Sequence, residues 1–298
     1  MGQIVGAYPV YAPLTDPTPV VSALAGSPLV DGLEIPFTDE RITAPPGSRG
    51  DWRYVVTLIP QTMARMASDA DFGLASPDRE GRLAAVRLVR ALHREVTAGG
   101  RVLAVELHSA PTRTATADAL FESLSEIVRW DWDGTQVVIE HCDAWTDAHP
   151  VEKGFLPFTQ ELDVARSVGV GLSVNWARSV IESRDPGTAL AHIAAAAGQG
   201  LLRGVVFSSV SDQDTSLGRA WADLHLLPAD STSSPAGSLL TSSDLARCVA
   251  AADDAWIGFK VNMDAGTPVE TRCAGLLEVA RLIDDARPTR PGTCPAAC

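Results

Sequence analysis

The regular alternation of short apolar runs with amphipathic segments, from one end of the chain to the other, most constrains the fold. The apolar runs predict eight strands, at residues 3–8, 30–37, 54–59, 102–107, 136–140, 171–175, 204–208 and 257–261. Helical spacing predicts helices between them, at residues 19–25, 79–98, 117–128, 160–168, 188–197, 242–252 and 269–286. Repeated strand–helix units of this kind are typical of a parallel sheet covered by helices.

This pattern predicts a (β/α)₈ TIM barrel with a single domain over residues 1–286. A doubly wound open sheet is the alternative, but it usually carries a glycine-rich phosphate loop after its first strand. The segment Tyr8-Pro9-Val10-Tyr11 contains no such loop. Residues 287–298 are rich in proline, include Cys294 and Cys298, and are expected to form a disordered tail.

The charge and the cysteine content narrow the function classes. A formal net charge of −13 argues against nucleic acid as a partner, because phosphate binding depends on Lys and Arg. The sequence contains no run of about 20 apolar residues, so no membrane-spanning helix is expected. Five cysteines and an N-terminus without a signal-peptide pattern favour a reducing, cytoplasmic location.

Polar residues gather where the predicted strands end, which is where barrel enzymes place their chemistry. Glu106 and His108 lie two residues apart, so their side chains share one face of a strand. Lys260 lies inside a predicted strand, where a buried charge is normally paired or functional. The candidate catalytic residues are Glu140, Lys260, Glu106 and His108. The candidate substrate-binding residues are Glu34, His141, Lys153, Asn175, Trp176, Arg178, Ser208 and His225.

Some polar residues have a plainer interpretation. Cys142 is expected to pack behind the barrel, because free cysteines are commonly buried. Asp212, Asp214 and Asp223 are expected to be solvated loop acids or helix caps.

Three motifs carry a resemblance to known proteins: Glu140-His141-Cys142-Asp143-Ala144, Glu152-Lys153-Gly154-Phe155-Leu156 and Asn175-Trp176-Ala177-Arg178-Ser179. With them the chain resembles the xylose isomerase-like barrel superfamily, and within it a bacterial family described as a domain of unknown function. The superfamily includes sugar isomerases, epimerases, inosose dehydratases and phosphodiester-cleaving repair enzymes. The resemblance therefore implies a small sugar or sugar acid as substrate, and a homo-oligomer. The net charge disfavours the repair enzymes.

The resemblance also implies a divalent metal held by an acid after strand five, an acid after strand six, a His after strand seven and an acid after strand eight. Glu140 matches the first position, but Asn175, Ser208 and Lys260 stand at the other three. Two alternatives follow. One is a rearranged site for Mn, Zn or Fe drawn from Glu106, His108, Glu140, His141 and His225; the other is a site without metal in which Lys260 supplies the positive charge.

The sequence thus predicts an isomerase or epimerase that abstracts a proton next to a carbonyl. Glu140 is the expected base, Glu106 and His108 assist, and Lys260 and Arg178 stabilise the oxyanion. A lyase or aldolase that uses Lys260 covalently is one alternative. A sugar-binding barrel without catalysis is another, and it predicts ordinary pKa values at Glu140 and Lys260.

Overall fold

Eight parallel strands form a closed barrel in chain order in the computed structural model, which describes residues 2–99 and 101–288. The strands are β1 (Gln3–Gly6), β2 (Val30–Pro36), β3 (Arg53–Thr57), β4 (Val102–Leu107), β5 (Gln136–His141), β6 (Gly171–Asn175), β7 (Leu202–Phe207) and β8 (Trp256–Lys260). The predicted single-domain TIM barrel is confirmed. Most of the predicted tail, residues 289–298, lies outside the described residues.

Ten helices accompany the strands in the described part of the chain. They are α1 (Tyr8–Tyr11), α2 (Thr18–Ala25), α3 (Ile59–Met66), α4 (Arg79–Gly99), α5 (Ala117–Ile127), α6 (Phe158–Val168), α7 (Trp176–Ser183), α8 (Gly187–Gly198), α9 (Ser242–Ala251) and α10 (Val269–Asp285). Each predicted helix has a counterpart among them. None of the described helices is long and apolar enough to cross a membrane.

Three short helices, α1, α3 and α7, were not predicted, and two of them shorten predicted strands. The first strand ends at Gly6 rather than Tyr8, and the third ends at Thr57 rather than Ile59. Proline at the first or second position of α1 and α3 favours a helix start.

An apolar layer closes the lower end of the barrel, where the strands begin. Ile4, Val55, Ala104, Val138, Val206 and Trp256 form one buried cluster there. Gly204 is required at this level, because a Cβ atom on it would lie 2.1 Å from the Trp256 ring. This apolar layer, which we call the plug, fills the lower end of the barrel, so the polar side chains inside the barrel lie at its upper end.

A larger apolar core fills the space between the barrel and its helices. Helix α9 begins with a capping box, in which Thr241 and Asp244 each bond the other's backbone N–H. Helix α5 begins with Thr116, whose side chain accepts from the Ala119 N–H. The apolar core and these helix caps hold the helices against the barrel, and so fix the strand ends that carry the site.

Candidate active site

The upper part of the barrel holds a buried cluster of charged and polar side chains, which we call the barrel cluster. Its members are Glu34, Glu106, His108, Glu140, Ser173, Asn175, Arg178, Ser208, Asp223, His225 and Lys260, with Tyr8 and Lys153 at its edge. Most of them are less than 4% exposed. Burying so many charges is costly unless each is paired or used.

Lys260 and Glu34 form the first ion pair of the barrel cluster. Lys260 Nζ donates to Glu34 Oε1 at 2.5 Å and lies 3.3 Å from the Tyr8 hydroxyl. Gly6 on the neighbouring strand makes room, because a Cβ there would lie 3.0 Å from both Glu34 Oε2 and Lys260 Cβ. Burial would lower the pKa of Lys260, but the nearby Glu34, Tyr8 and Glu140 raise it well above its ordinary value. Lys260 is therefore a fixed cation.

Glu140 is held between Arg178 and His108. Arg178 Nη1 lies 2.5 Å from Glu140 Oε1, and His108 Nε2 lies 2.8 Å from Glu140 Oε2. Burial would raise the pKa of Glu140, but Arg178, Lys260 and His108 bring it well below its usual range. Glu140 is therefore an anion and a weak base: Oε2 bonds His108, while Oε1 is ion-paired with Arg178 without a hydrogen bond of adequate geometry.

His108 and Glu106 both have a buried atom without a hydrogen-bond partner. They are His108 Nδ1 and Glu106 Oε2. Burial lowers the pKa of His108 and favours the neutral ring. Burial, with help from Glu140 and Glu34, raises the pKa of Glu106 well above its ordinary value. The other Glu106 oxygen accepts from Ser173 Oγ at 2.9 Å.

Asp223 is a member of the site that the sequence did not reveal, and its expected place as a solvated or capping acid is wrong. Its side chain is only 2% exposed and lies 3.1 Å from Arg178 Nε and 3.0 Å from Lys153 Nζ. His225 Nδ1 lies 3.3 Å from the other Asp223 oxygen. The only available signal was the Asp223-Leu224-His225 triplet, because nothing in a long loop indicates which acids turn inward.

The sequence contains two lysines, Lys153 and Lys260, and both belong to the barrel cluster. Asn175 and Ser208 also lie where predicted, since Ser208 Oγ donates to Asn175 Oδ1 at 3.1 Å. The same Asn175 oxygen caps α7 by accepting from the Arg178 N–H. Asn175 thus fixes the helix that carries Arg178.

His141 and Trp176 are not placed with the predicted substrate-binding residues, which corrects their assignment. Successive side chains of a strand point to opposite faces, so His141 lies outside the barrel while Glu140 lies inside. Burial would lower the pKa of His141, but Glu161 and Glu182 raise it to about 10. Trp176 is fully buried in the apolar core. Cys142 is buried as expected, with Arg178 Nη1 at 3.4 Å from its sulfur.

The barrel cluster does not fit the divalent metal that the superfamily resemblance implies. Glu140 is the only carboxylate among the four corresponding positions, and its two oxygens lie against Arg178 and His108. Lys260 adds a fixed positive charge at the fourth position. The rearranged set, Glu106, His108, Glu140, His141 and His225, does not bring three ligand atoms within 4.8 Å of one another in the described residues.

Comparison with known proteins identifies the family. The model of a domain of unknown function, DUF4862, matches residues 4–275. The chain belongs to this family. A relative, an uncharacterized protein of Salmonella typhimurium strain LT2, is 36% identical over 246 residues, which cover 75% of this chain and 77% of the relative.

Solved structures share the fold at low sequence identity. The IolI protein with a bound zinc atom has a TM-score of 0.58 and 9% identity, covering 95% of this chain and 99% of that one. D-Psicose 3-epimerase from Clostridium cellulolyticum H10, with D-tagatose, has a TM-score of 0.52 and 13% identity over 96% of each chain. These similarities show that the chain shares the TIM-barrel fold of these two proteins.

Proposed function

We propose that the barrel cluster is the active site of a sugar isomerase or epimerase that moves a proton next to a carbonyl with its own side chains. The observation that carries the proposal is a pair of buried acid–base groups, His108 and Glu106, each with one atom that has no protein partner. Buried polar atoms without partners are rare in folded proteins and indicate a ligand or water at that place. The sugar epimerase among the proteins of similar fold supports the same reaction class.

His108 is the proposed base. Glu140 accepts the hydrogen on Nε2, which fixes the tautomer and leaves the lone pair on Nδ1. A carboxylate that orients an imidazole in this way is a recurring device in enzymes. This assignment changes the role of Glu140 from the base predicted by sequence to the group that positions the base.

Glu106 is the proposed acid. Its raised pKa favours the protonated carboxyl, while the lowered pKa of His108 favours the free imidazole. Two groups whose environments drive their pKa values apart are suited to the opposite halves of a proton transfer. The fixed cations Lys260 and Arg178 stabilise the negative charge that develops on the substrate oxygen.

The charge pairing favours an uncharged sugar over a sugar acid or a sugar phosphate. Each cation of the cluster already has a carboxylate partner: Lys260 pairs with Glu34, Arg178 with Glu140, and Lys153 with Asp223. None of them is left over for a phosphate or carboxylate on the substrate. The hydroxyl groups of an uncharged sugar can accept a hydrogen bond from Asn175 Nδ2, a neutral donor that has no hydrogen-bond partner in the protein.

The two alternatives predicted from the sequence receive less support. A Schiff base needs a neutral lysine, but Lys260 is held as a cation by Glu34 at 2.5 Å. A barrel without catalysis predicted ordinary pKa values, yet those of Glu140 and Lys260 are both strongly shifted.

Substrate entry requires the loop between β7 and α9, residues 208–241, to move. Asp223 and His225 of this loop cover the barrel cluster, and the Asn262 N–H donates to the His225 carbonyl at 2.6 Å. Closing such a loop excludes water and strengthens the electrostatic interactions beneath it.

The proposal is tested by incubating the protein with a panel of free aldoses and ketoses, their phosphates and their acids, and following conversion by NMR. We expect conversion of a free sugar, and a loss of about 10²–10⁴-fold in kcat/KM in His108→Gln and Glu106→Gln. His108→Gln keeps a nitrogen near the Nε2 position for Glu140 but removes the base.

His93→Gln is the matched control, because His93 is half-buried and packs against Trp130 and Trp132 on the outer surface, away from the barrel cluster. Circular dichroism confirms that each variant is folded. Full activity in both His108→Gln and Glu106→Gln, or conversion of phosphorylated sugars alone, would contradict the proposal.

A further inference from the structure

A second cluster of ionisable side chains lies on the outer face of β5, away from the barrel cluster. It consists of His141 on β5, Glu182 on α7 and His192 on α8, and we call it the outer cluster. One ligand atom from each of the three residues lies within 4.8 Å of the other two. No other such group of three His, Cys, Asp or Glu residues occurs in the described ranges 2–99 and 101–288.

Both imidazole rings of the outer cluster are oriented by a hydrogen bond on Nδ1. His141 Nδ1 lies 2.6 Å from Glu161 Oε2, and His192 Nδ1 lies 3.0 Å from Ser179 Oγ. These contacts leave Nε2 of each ring as the nitrogen available for a ligand. A histidine whose second nitrogen is fixed by a carboxylate is the usual arrangement around zinc.

Aromatic packing holds the rings in place. Phe158 stacks on His192 with ring centroids 4.0 Å apart and meets His141 edge-on at 5.1 Å. Glu182 is also fixed, because its Oε2 accepts from the Ala144 N–H at 2.8 Å. The three ligand groups are therefore set before any ion arrives, which lowers the entropic cost of binding.

An unpartnered nitrogen points into the gap between these groups. His141 Nε2 is fully buried and lies 3.1 Å from Glu182 Oε2, yet it makes no hydrogen bond of adequate geometry. Ligand atoms around tetrahedral zinc, with bonds of about 2.0–2.2 Å, are about 3.4 Å apart. The 3.1 Å between His141 Nε2 and Glu182 Oε2 is close to that spacing, and the three ligand atoms all lie within 4.8 Å of one another.

Charge balance also favours a divalent ion. Glu161 and Glu182 bring two carboxylates to the outer cluster, and Glu161 is completely buried. A divalent cation that displaces the proton between His141 Nε2 and Glu182 matches those two negative charges. Imidazole nitrogen with one carboxylate oxygen is a ligand set that suits zinc and its neighbours in the transition series.

We propose that His141, Glu182 and His192 bind one divalent transition-metal ion, with Zn²⁺ as the best match and water as the fourth ligand. Glu182 and His192 are partly exposed, so the fourth position faces solvent. The ion joins β5 to α7 and α8 outside the barrel. It is distinct from the metal that the superfamily resemblance implies inside the barrel, and it stabilises the fold next to the strand that carries Glu140.

The test uses the full chain, stripped with a chelator, dialysed and titrated with Zn²⁺. Metal content is measured by mass spectrometry, and the melting temperature by calorimetry. We expect the wild type to bind one equivalent more Zn²⁺ than His192→Gln or Glu182→Gln. At a hundredfold excess of free Zn²⁺ over Kd, its Tm rises by about 5 °C, a rise absent from both variants.

His93→Gln is the matched control and keeps the wild-type stoichiometry. Two partly exposed positions are changed separately, so a folding defect in one variant leaves the other informative. Co²⁺ provides a second readout, since a site with two imidazoles and a carboxylate gives visible absorption bands that the variants lack. Equal Zn²⁺ content in the wild type and both variants overturns the proposal. So does a wild type that takes up no Zn²⁺, because the outer cluster is then an ion-pair network of His141 with its two carboxylates.

Discussion

Removing either partner of the Lys260–Glu34 pair should destabilise the protein with an opposite dependence on pH. In Lys260→Met, Glu34 stays buried without its cation and escapes the cost of a buried charge by taking up a proton. The cost of that protonation at pH 7, against an ordinary pKa of 4.5, is at most about 3.4 kcal/mol. At pH 5 it falls below about 1 kcal/mol.

Glu34→Gln leaves Lys260 without its partner, and Lys260 escapes by losing its proton. Against an ordinary pKa of 10.5, that costs at most about 4.8 kcal/mol at pH 7 and decreases as pH rises. The neighbouring Tyr8, Glu140 and Arg178 act on the charged forms, so they can bring either loss below its limit but do not reverse its dependence on pH. The double variant carries neither charge, so its loss should be smaller than the sum of the two single losses.

Urea denaturation followed by fluorescence between pH 5 and pH 9 measures these free energies of unfolding. The expected result is a loss that grows with pH in Lys260→Met and shrinks with pH in Glu34→Gln. Losses that do not change with pH in either variant would refute the reasoning, because the pair would then act through packing alone.

Three further predictions concern single residues. Burial raises the pKa of Glu106 above its ordinary value of 4.5, so its contribution to stability is present below that pH and is lost as pH rises. The stability of Glu106→Gln relative to wild type, measured by urea denaturation, should therefore increase from pH 5 to pH 8, and parallel curves would refute this. Asp223→Asn removes one carboxylate partner of Arg178 and should lower the free energy of unfolding by about 3–5 kcal/mol. The exposed control Asp212→Asn should lower it by less than about 0.5 kcal/mol. Equal losses in chemical denaturation would contradict the buried ion network. Gly204→Ala places a Cβ against the Trp256 ring and should cost about 1–3 kcal/mol by overpacking, so an unchanged melting temperature would show that the plug is less tight than described.

The fold was predictable because alternation of strands and helices is a local property of the sequence. The short helices α1, α3 and α7 were not predicted because each begins directly after a strand or one residue later, so its few residues read as part of the apolar strand run or the loop after it. The spacing of apolar residues does not distinguish a helix from a strand or a loop over so few residues.

Most of the candidate site that the sequence predicted lies at strand ends, although Lys153, Arg178 and His225, which lie outside the strands, were also among the predicted residues. Glu106 and Lys260 lie on strands, and a barrel directs such side chains inward. Asp223 lies in a long loop, whose path depends on tertiary contacts that the sequence does not display. The sequence also could not predict that Glu140 orients His108, because this role depends on the distances from Glu140 to Arg178 and His108 rather than on residue type.

Solvent deuterium incorporation tests the central claim most directly. Chelator-treated protein is incubated in D₂O with each free sugar, and the carbon next to the carbonyl is observed by NMR. The account predicts deuterium at a single carbon of one sugar with the wild type, and at least a 100-fold slower exchange with His108→Gln or Glu106→Gln. Exchange by His192→Gln, which lacks a complete outer cluster, that stops on chelation and returns with a divalent metal would contradict proton transfer by these side chains. No exchange of any sugar with the wild type would also contradict it.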